Sequence, residues 1–441
     1  MAEKILKAGE EHLGVPVFGG IIGLFIVLIY ILIRIAPSLL TEVFSVLVTF
    51  APIWVPLFLL YFFWFFWVLY VRANFFKNQD YTVLEVKLPR EILKSPLAME
   101  SVFSGLHQGV GESTWFDKYW SGKTRTWFSF EIASIEGQVK FFIWTRSFWR
   151  EAIESQIYAQ YPEVEIVEAD DYTKMVAYDP EKISVWGADF KLGESDAYPI
   201  KTYIDYGLDK DPKEEFKVDP MAPMIEHFGS VGKGEQMWLQ YIIRVNKDEK
   251  KKKGTWFGKT GWKKEGEELV NDLMKRDPKT KSSRELSPAG FQIIPNLSKH
   301  EQEIVSAIER SITKLGFDVG MRGLYLAEKD KFRAINIMGL MGVVKQFNSN
   351  TLNEFSPTRY STVLSYPWQD YKNLVKNRAA RRVFDAYRRR SYFHHPYKTQ
   401  PFVLNTEELA TVYHFPGSTV QTPTVGRVPS KKSEAPSDLP V

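Results

Sequence analysis

Two tripeptides, Gly122-Lys123-Thr124 and Gly258-Lys259-Thr260, carry the ending of a phosphate-binding loop, in which the lysine reaches the phosphates and the threonine hydroxyl holds magnesium. That loop needs a further glycine five residues before the last one, so that successive backbone N–H groups can wrap the phosphates. Asp117 and Lys253 stand at those positions, and neither tripeptide follows an apolar strand, so both read as surface turns. His300-Glu301 begins like a zinc-protease helix, but Ile304 occupies the place of the second histidine ligand. His394 and His395 are adjacent, and sequence neighbours rarely bind one metal together. Glu163, Glu165, Glu168, Asp170 and Asp171 crowd one segment, yet alternate carboxylates on a strand beside a turn are usually solvated. No Ser/His/Asp set stands out. The absence of cysteine excludes disulfides, thiolate nucleophiles and thiolate metal sites. The expectation is a non-enzymatic chain with no catalytic, cofactor-binding or metal-binding residues.

Binding chemistry is concentrated late in the chain. Nine Lys or Arg residues lie between Lys372 and Lys398 against one acid, Asp385. On a helical wheel over residues 371–390, Val375, Ala379, Val383, Phe384 and Tyr387 share one side, and Arg378, Arg381, Arg382, Arg388 and Arg389 share the other. Such a stripe can bind nucleic-acid phosphates, the head groups of an anionic inner leaflet or an acidic partner protein, or it can be a solvated face. Residues 401–416, PFVLNTEELATVYHFP, follow. Thr406 is placed to cap a short helix, with Glu407 and Glu408 in the first turn complementing its dipole. Leu409, Tyr413 and Phe415, with Val412, then form an apolar patch suited to a partner's groove. The alternative is docking onto the chain's own second domain.

The elements that must position these residues begin at a membrane. Residues 17–35 and 43–71 are two apolar runs with only Arg34 as a basic residue, each about the length a helix needs to cross roughly 30 Å of hydrocarbon. The second is rich in aromatics and contains Pro52 and Pro56. Lys4 and Lys7 precede the first run and Arg72, Lys77, Lys87, Arg90 and Lys94 follow the second, which places both ends on the cytoplasmic side of the inner membrane. A cytoplasmic N-terminus (1–14) and a two-helix hairpin (15–72) are therefore expected. The net charge of +4 names no partner by itself.

The rest reads as α+β. Residues 81–88 alternate as a strand; Ser95-Pro96 opens a helix carrying Met99, Val102, Phe103 and Leu106 on one face. Residues 126–135 and 138–144 form a hairpin about Glu136-Gly137, Ser147 opens a second helix, and residues 164–167 close the unit as a strand. Strand, helix, strand, strand, helix, strand is the split βαβ, ferredoxin-like order, expected over residues 80–180. A second such unit is expected over 181–355. Its helix starts at Asp219-Pro220, and residues 183–190, 198–204, 237–245 and 317–326 read as strands. A capping box at Ser298 and Glu301 heads another helix, and residues 329–347 form a further one. Two polar inserts, 246–261 and 276–290, read as mobile loops. A basic helix and docking segment (356–416) and a disordered tail (417–441) complete the chain.

Residues 401–416, together with the two apolar runs, PREILKSPLAMESVF and DPMAPMIEHFGSVGKGEQMWLQ, resemble the membrane-anchored region that precedes the motor in conjugative coupling-type and HerA-like ATPases of type IV secretion-related systems. The resemblance covers most of the chain and is tightest over 409–416. It implies a non-catalytic region, and because the sequence reaches Val441 without Walker motifs, a platform that docks a separately encoded motor ATPase. Partners implied are the lipid bilayer, that motor, DNA or anionic lipid through the basic helix, and further copies of the chain as a homo-oligomer. The competing expectations are a membrane-tethered nucleic-acid-binding protein and a membrane-bound enzyme.

Overall fold

No charged residue stands between Glu42 and Arg72, and the computed structural model places that run in one helix, α1 (Pro37–Lys77), with Pro52 and Pro56 inside it. From Thr41 to Lys77 the helix is long and apolar enough to cross a membrane, and its most apolar window is not buried in the chain. The structure describes residues 37–89, 94–109, 111–209, 218–247, 259–276, 297–360 and 370–417, with a few more at 25–34, 92, 250–251 and 427–428. The expected span 17–35 lies outside the described residues apart from helical positions between Phe25 and Arg34, as do most of the two polar inserts and of the tail. The chain divides into two units. One holds residues 1–78, 113–124 and 362–379, and the other holds 79–112, 125–361 and 380–441.

In the second unit, alternating residues form β1 (Tyr81–Pro89), followed by α2 (Leu97–Leu106). The Ser95 hydroxyl accepts from the Leu97 N–H at the start of that helix. In the first unit lies α3 (Trp115–Tyr119). The hairpin of β2 (Trp127–Ile135) and β3 (Gln138–Arg146) turns on Glu136 and Gly137, both at positive φ, the conformation a two-residue primed turn requires. Then come α4 (Arg150–Gln160), β4 (Glu165–Ala169), β5 (Ile183–Leu192), α5 (Met221–Gly229) and β6 (Glu235–Val245). A two-residue ladder, β7 (Lys250–Lys251) with β8 (Lys259–Thr260), precedes α6 (Trp262–Leu273) and α7 (Lys299–Thr313), the latter capped by the expected Ser298–Glu301 box. β9 (Gly316–Glu328), α8 (Ala334–Val344), β10 (Phe355–Tyr360), α9 (Leu374–Arg388), β11 (Phe402–Asn405), α10 (Thr406–Val412) and β12 (Arg427–Val428) follow.

Among the described residues and apart from the β7–β8 ladder, the strands build one mixed α+β body around a ten-stranded sheet, ordered β10-β5-β9-β6-β2-β3-β1, with β4 and β12 beside β1 and β11 beside β9. All pairs are antiparallel except β1–β12. The order β4-β1-β3-β2 of the first half recurs as β10-β5-β9-β6 in the second, and the halves expected at 80–180 and 181–355 join edge to edge through β2 and β6, in register from Trp127 opposite Arg244 to Ile135 opposite Gln236. One strand expectation is corrected. Residues 198–204 form no strand, because their N–H groups bond elsewhere: Ile200 to Glu408 and Tyr203 to Thr411 on α10, and Lys201 to the Phe347 carbonyl.

Successive side chains of a strand point to opposite faces, and the two faces of this sheet differ in chemistry. One face presents Leu84, Val86, Phe128, Phe130, Ile132, Phe141, Ile143, Leu239, Tyr241, Ile243, Val319 and Met321 to the apolar sides of α2, α4, α5, α8 and α10, and together these form one core. The other face carries Ser129, Glu131, Gln240, Asp189 and Arg322, all buried. It is covered by α9 and the chain after it. Glycines make room for that cover: a Cβ on Gly187 would meet Val383 at 2.6 Å, and one on Gly320 would meet the Tyr392 ring at 2.4 Å.

Candidate functional site

The basic helix α9 divides into two stretches. At its start Leu374 and Val375 are exposed beside Lys376 and Arg378, so Val375 does not join the buried side expected for it. Further on, Ala380, Val383, Phe384, Ala386 and Tyr387 are buried, and Phe384 and Tyr387 pack on Trp238 with ring centroids 6.0 and 5.2 Å away. Arg381, Arg382 and Arg389 stay at the surface with Arg378, as the wheel predicts; Arg388 lies partly buried over the Phe384 ring, and Arg389 pairs with Asp385 at 2.7 Å.

Arg390, the next residue, departs from the stripe. It sits at positive φ, which turns it away from its basic neighbours and down onto the sheet, where it is almost wholly buried. Its guanidinium bonds to Glu131 through Nε at 3.0 Å and Nη2 at 3.1 Å, and to Asp171 through Nη1 at 2.6 Å and Nη2 at 3.0 Å. Ser129 at 2.6 Å, Gln240 at 2.8 Å and Tyr172 at 2.9 Å also donate to Glu131. Five donors thus surround this carboxylate, three on Oε1 and two on Oε2. Burial alone would raise the Asp171 carboxyl, but the Arg390 hydrogen bonds and charge outweigh it and hold that group below the ordinary range. Beside this network Arg322 pairs with Asp189 at 2.6 Å, also fully buried. Sequence reading missed the network, since Glu131 and Arg390 lie 259 positions apart. The available signal was a lone Glu131 among apolar residues in WFSFEIAS, on the strand face shared with Ser129.

The segment from β11 to Phe415 is a strap across the apolar side of the sheet. β11 pairs with the start of β9, Phe402 opposite Val319 and Asn405 opposite Gly316. Asn405, not Thr406, caps α10: its side chain accepts from the Glu408 N–H while Glu408 accepts from the Asn405 N–H, and Thr406 is the first helical residue. Leu409, Tyr413 and Phe415 are each 1% exposed. Tyr413 contacts Phe130, Phe141 and Tyr241, and Phe415 contacts Phe141 and Tyr161. The expected partner-facing patch is therefore corrected to the intramolecular alternative: these side chains fill the core where the two halves of the sheet meet. His414 fastens the end. Its Nδ1 lies 2.8 Å from the Ala410 carbonyl oxygen and its Nε2 lies 3.1 Å from Asp219. Burial would raise the Asp219 carboxyl, but His414 and the N–H groups of Met221 and Gly417 hold it below the usual range.

Under the strap lies a second charged cluster. Glu100 accepts from Tyr203 at 2.7 Å, Lys314 at 2.6 Å and Thr406 at 3.2 Å, and Arg310 reaches Glu407 at 3.2 Å. Glu408 is enclosed, and although the N–H groups of Asn405 and Ile200 favour its charge, burial dominates and pushes its carboxyl up to about 8. Arg310 also lines an open cleft of about 740 Å³ over α7, with Lys201, Asp205, Glu303, Ser306 and Leu352. The cleft has a mixed-charge rim, and Arg310 is already turned to Glu407 and, at 3.7 Å, Asp205. Among the described residues no group of three or more His, Asp or Glu side chains is placed to hold a metal ion.

Comparison with curated proteins finds no match. A family model described as a domain of unknown function, DUF8128, matches residues 73–427, from the end of α1 through the whole sheet and the strap. The matched stretch contains both buried charge networks and strands β1 to β11, and on that match the chain belongs to the DUF8128 family.

Proposed function

We propose that this protein is a membrane-anchored, non-catalytic platform, held in the inner membrane with its α+β body in the cytoplasm, that recruits a separately encoded motor ATPase in a translocation machine of the type IV secretion or conjugation kind. The observation that carries the anchoring is α1, whose most apolar window is not buried among the described residues and suits hydrocarbon rather than water. The basic residues after it support a cytoplasmic body, and residues 17–35 supply a second span. The recruiting role rests on the sequence resemblance. It is compatible with the way the buried charges are spent: Glu131 and Asp171 pair with Arg390, and Asp189 pairs with Arg322, inside the sheet cover.

The repeated strand order supports reading the body as two ferredoxin-like units fused edge to edge. With the strap consumed in the core, the motor would meet the outer surface of the body. At the start of α9, apolar Leu374 and Val375 beside Lys376 and Arg378 favour an anionic leaflet over nucleic acid, because a phosphate backbone offers nothing to two exposed aliphatic side chains.

The test is affinity purification of the full chain from native membranes in mild detergent. The expected result is a co-purifying ATPase, with no nucleotide hydrolysis by the isolated chain. Hydrolysis by the isolated chain, or full dispersal of the protein without detergent, would overturn the proposal.

A further inference from the structure

Residues 113–124 leave the sheet body to join the unit of α1, and their composition is unlike that of an ordinary surface loop. Thr114 and Asp117 form a complete capping box around α3, and Asp117 is held again by Lys123 at 2.9 Å. That fixes a helix too short to persist by propensity alone. None of its five residues is buried; Trp115 is 61% exposed, Phe116 57%, and the following Trp120 47%. Water is a poor solvent for such a display.

The aromatic residues gather at one level of α1. Trp64 lies 6.1 Å from Trp115 with the rings nearly parallel, 5.6 Å from Tyr119 and 6.3 Å from Trp120, measured between centroids. Trp67 lies 5.3 Å from Trp120 and donates its indole N–H to the Tyr119 carbonyl at 3.0 Å. The loop returns at Gly122, at φ +65°, where a Cβ would stand 2.3 Å from the Val71 carbonyl oxygen, so only glycine lets it close on the helix.

The level has a meaning in length. The uncharged run 43–71 would extend about 43 Å as a helix, well beyond a hydrocarbon core of about 30 Å. Stopping it at Trp64 leaves residues 43–63, about 31 Å, which fits. The surplus begins where Trp115, Tyr119 and Trp120 pack on Trp64 and Trp67. Indole and phenol rings concentrate at the boundary between acyl chains and head groups, where one edge is apolar and the other wet, and the basic residues Lys118 and Lys123 lie in the same segment, with Arg72 ending the uncharged run.

We propose that α3 and Trp120 form an interfacial collar, seated in the head-group boundary of the bilayer that α1 crosses, which sets how deep α1 enters. The inference rests on the membrane reading of α1, and the occupant of the exposed aromatic face is lipid because that face continues the surface of the membrane-crossing helix.

The chain has no cysteine, so single-cysteine probes are specific. Phe116→Cys, Leu60→Cys in α1 and Met175→Cys on the body, all exposed positions, are labelled with an environment-sensitive fluorophore. The full chain is then reconstituted in vesicles of phosphatidylcholine and phosphatidylglycerol. The Leu60 probe, about 6 Å inside the level of Trp64, should be quenched by lipid spin-labelled in the upper acyl chain, the Phe116 probe about twofold or more by lipid spin-labelled near the head group, and the Met175 probe by neither. A quenched Leu60 probe with a Phe116 probe behaving like that at Met175 overturns the collar while leaving the anchor standing. A Phe116 probe shielded from both lipid quencher and aqueous iodide also overturns it, showing a protein cover instead. An unquenched Leu60 probe removes the membrane reading itself.

Discussion

At the scale of single residues, Arg390 and Arg389 are adjacent in sequence and opposite in consequence. Arg389 is a surface cation paired with Asp385 one turn away, and its replacement by leucine should leave the thermal midpoint of the detergent-solubilised protein essentially unchanged. Arg390→Leu leaves Glu131 and Asp171 buried without their counter-ion, and the expected cost is about 3–5 kcal/mol. Equal midpoints for the two variants would remove the network as a stabilising element. Glu408 gives a pH signature. Its carboxyl is raised from 4.5 to about 8 in the folded chain, so the folded state holds a proton that the unfolded state releases. Stability from this group is therefore fullest below the unfolded value and declines as pH rises towards the folded one. Asp171, Asp219 and Glu235 are shifted the other way and lose stability only in acid, below that window. The midpoint should fall from about pH 5 to about pH 8 and fall less in Glu408→Gln, Glu407 being raised in the same sense. An unchanged slope in that variant would place the titration elsewhere.

At the scale of elements, the strap shows what a sequence can and cannot carry. Local signals were legible because their partners are neighbours: Glu136-Gly137 made the hairpin turn, Ser298 and Glu301 made a capping box, and Asp219 accepts from the Met221 N–H at the start of α5. Tyr198 to Ile204 alternated like a strand, and Ile200 and Tyr203 are indeed buried, but the groups that took up their backbone N–H donors lie 208 positions away. Leu409, Tyr413 and Phe415 were legible as a patch in search of a surface. Apolarity alone does not say whether that surface belongs to another protein, and here it is the core of the sheet. A partner-docking role and a core role separate experimentally. Leu409→Ala and Phe415→Ala should cost about 2–5 and 3–5 kcal/mol with no partner present, by the contacts and the cavity they leave. Midpoints unchanged in the isolated protein would return the segment to the surface.

For the whole molecule, the sheet and α1 impose different solvents on one chain. The body buries an apolar face under helices and satisfies a charged face under α9; among the described residues the most apolar window of α1 has no such cover, and the helix is long and apolar enough to cross a membrane. An uncharged run bounded by Glu42 on one side and by Arg72 and Lys77 on the other is asymmetric, and lysine and arginine stay on the cytoplasmic side. On the proposed anchoring, Thr41, at the start of the membrane-length helix, and Met175, an exposed position on the body, should face opposite compartments. With no native cysteine to confuse the result, a membrane-impermeant maleimide applied to intact cells should label Thr41→Cys, and should label Met175→Cys only after the membrane is opened. The reverse pattern would turn the molecule over and put the body outside the compartment where a nucleotide-driven motor could meet it. Labelling of both sites in intact cells would mean that the charge-free run does not separate two compartments at all.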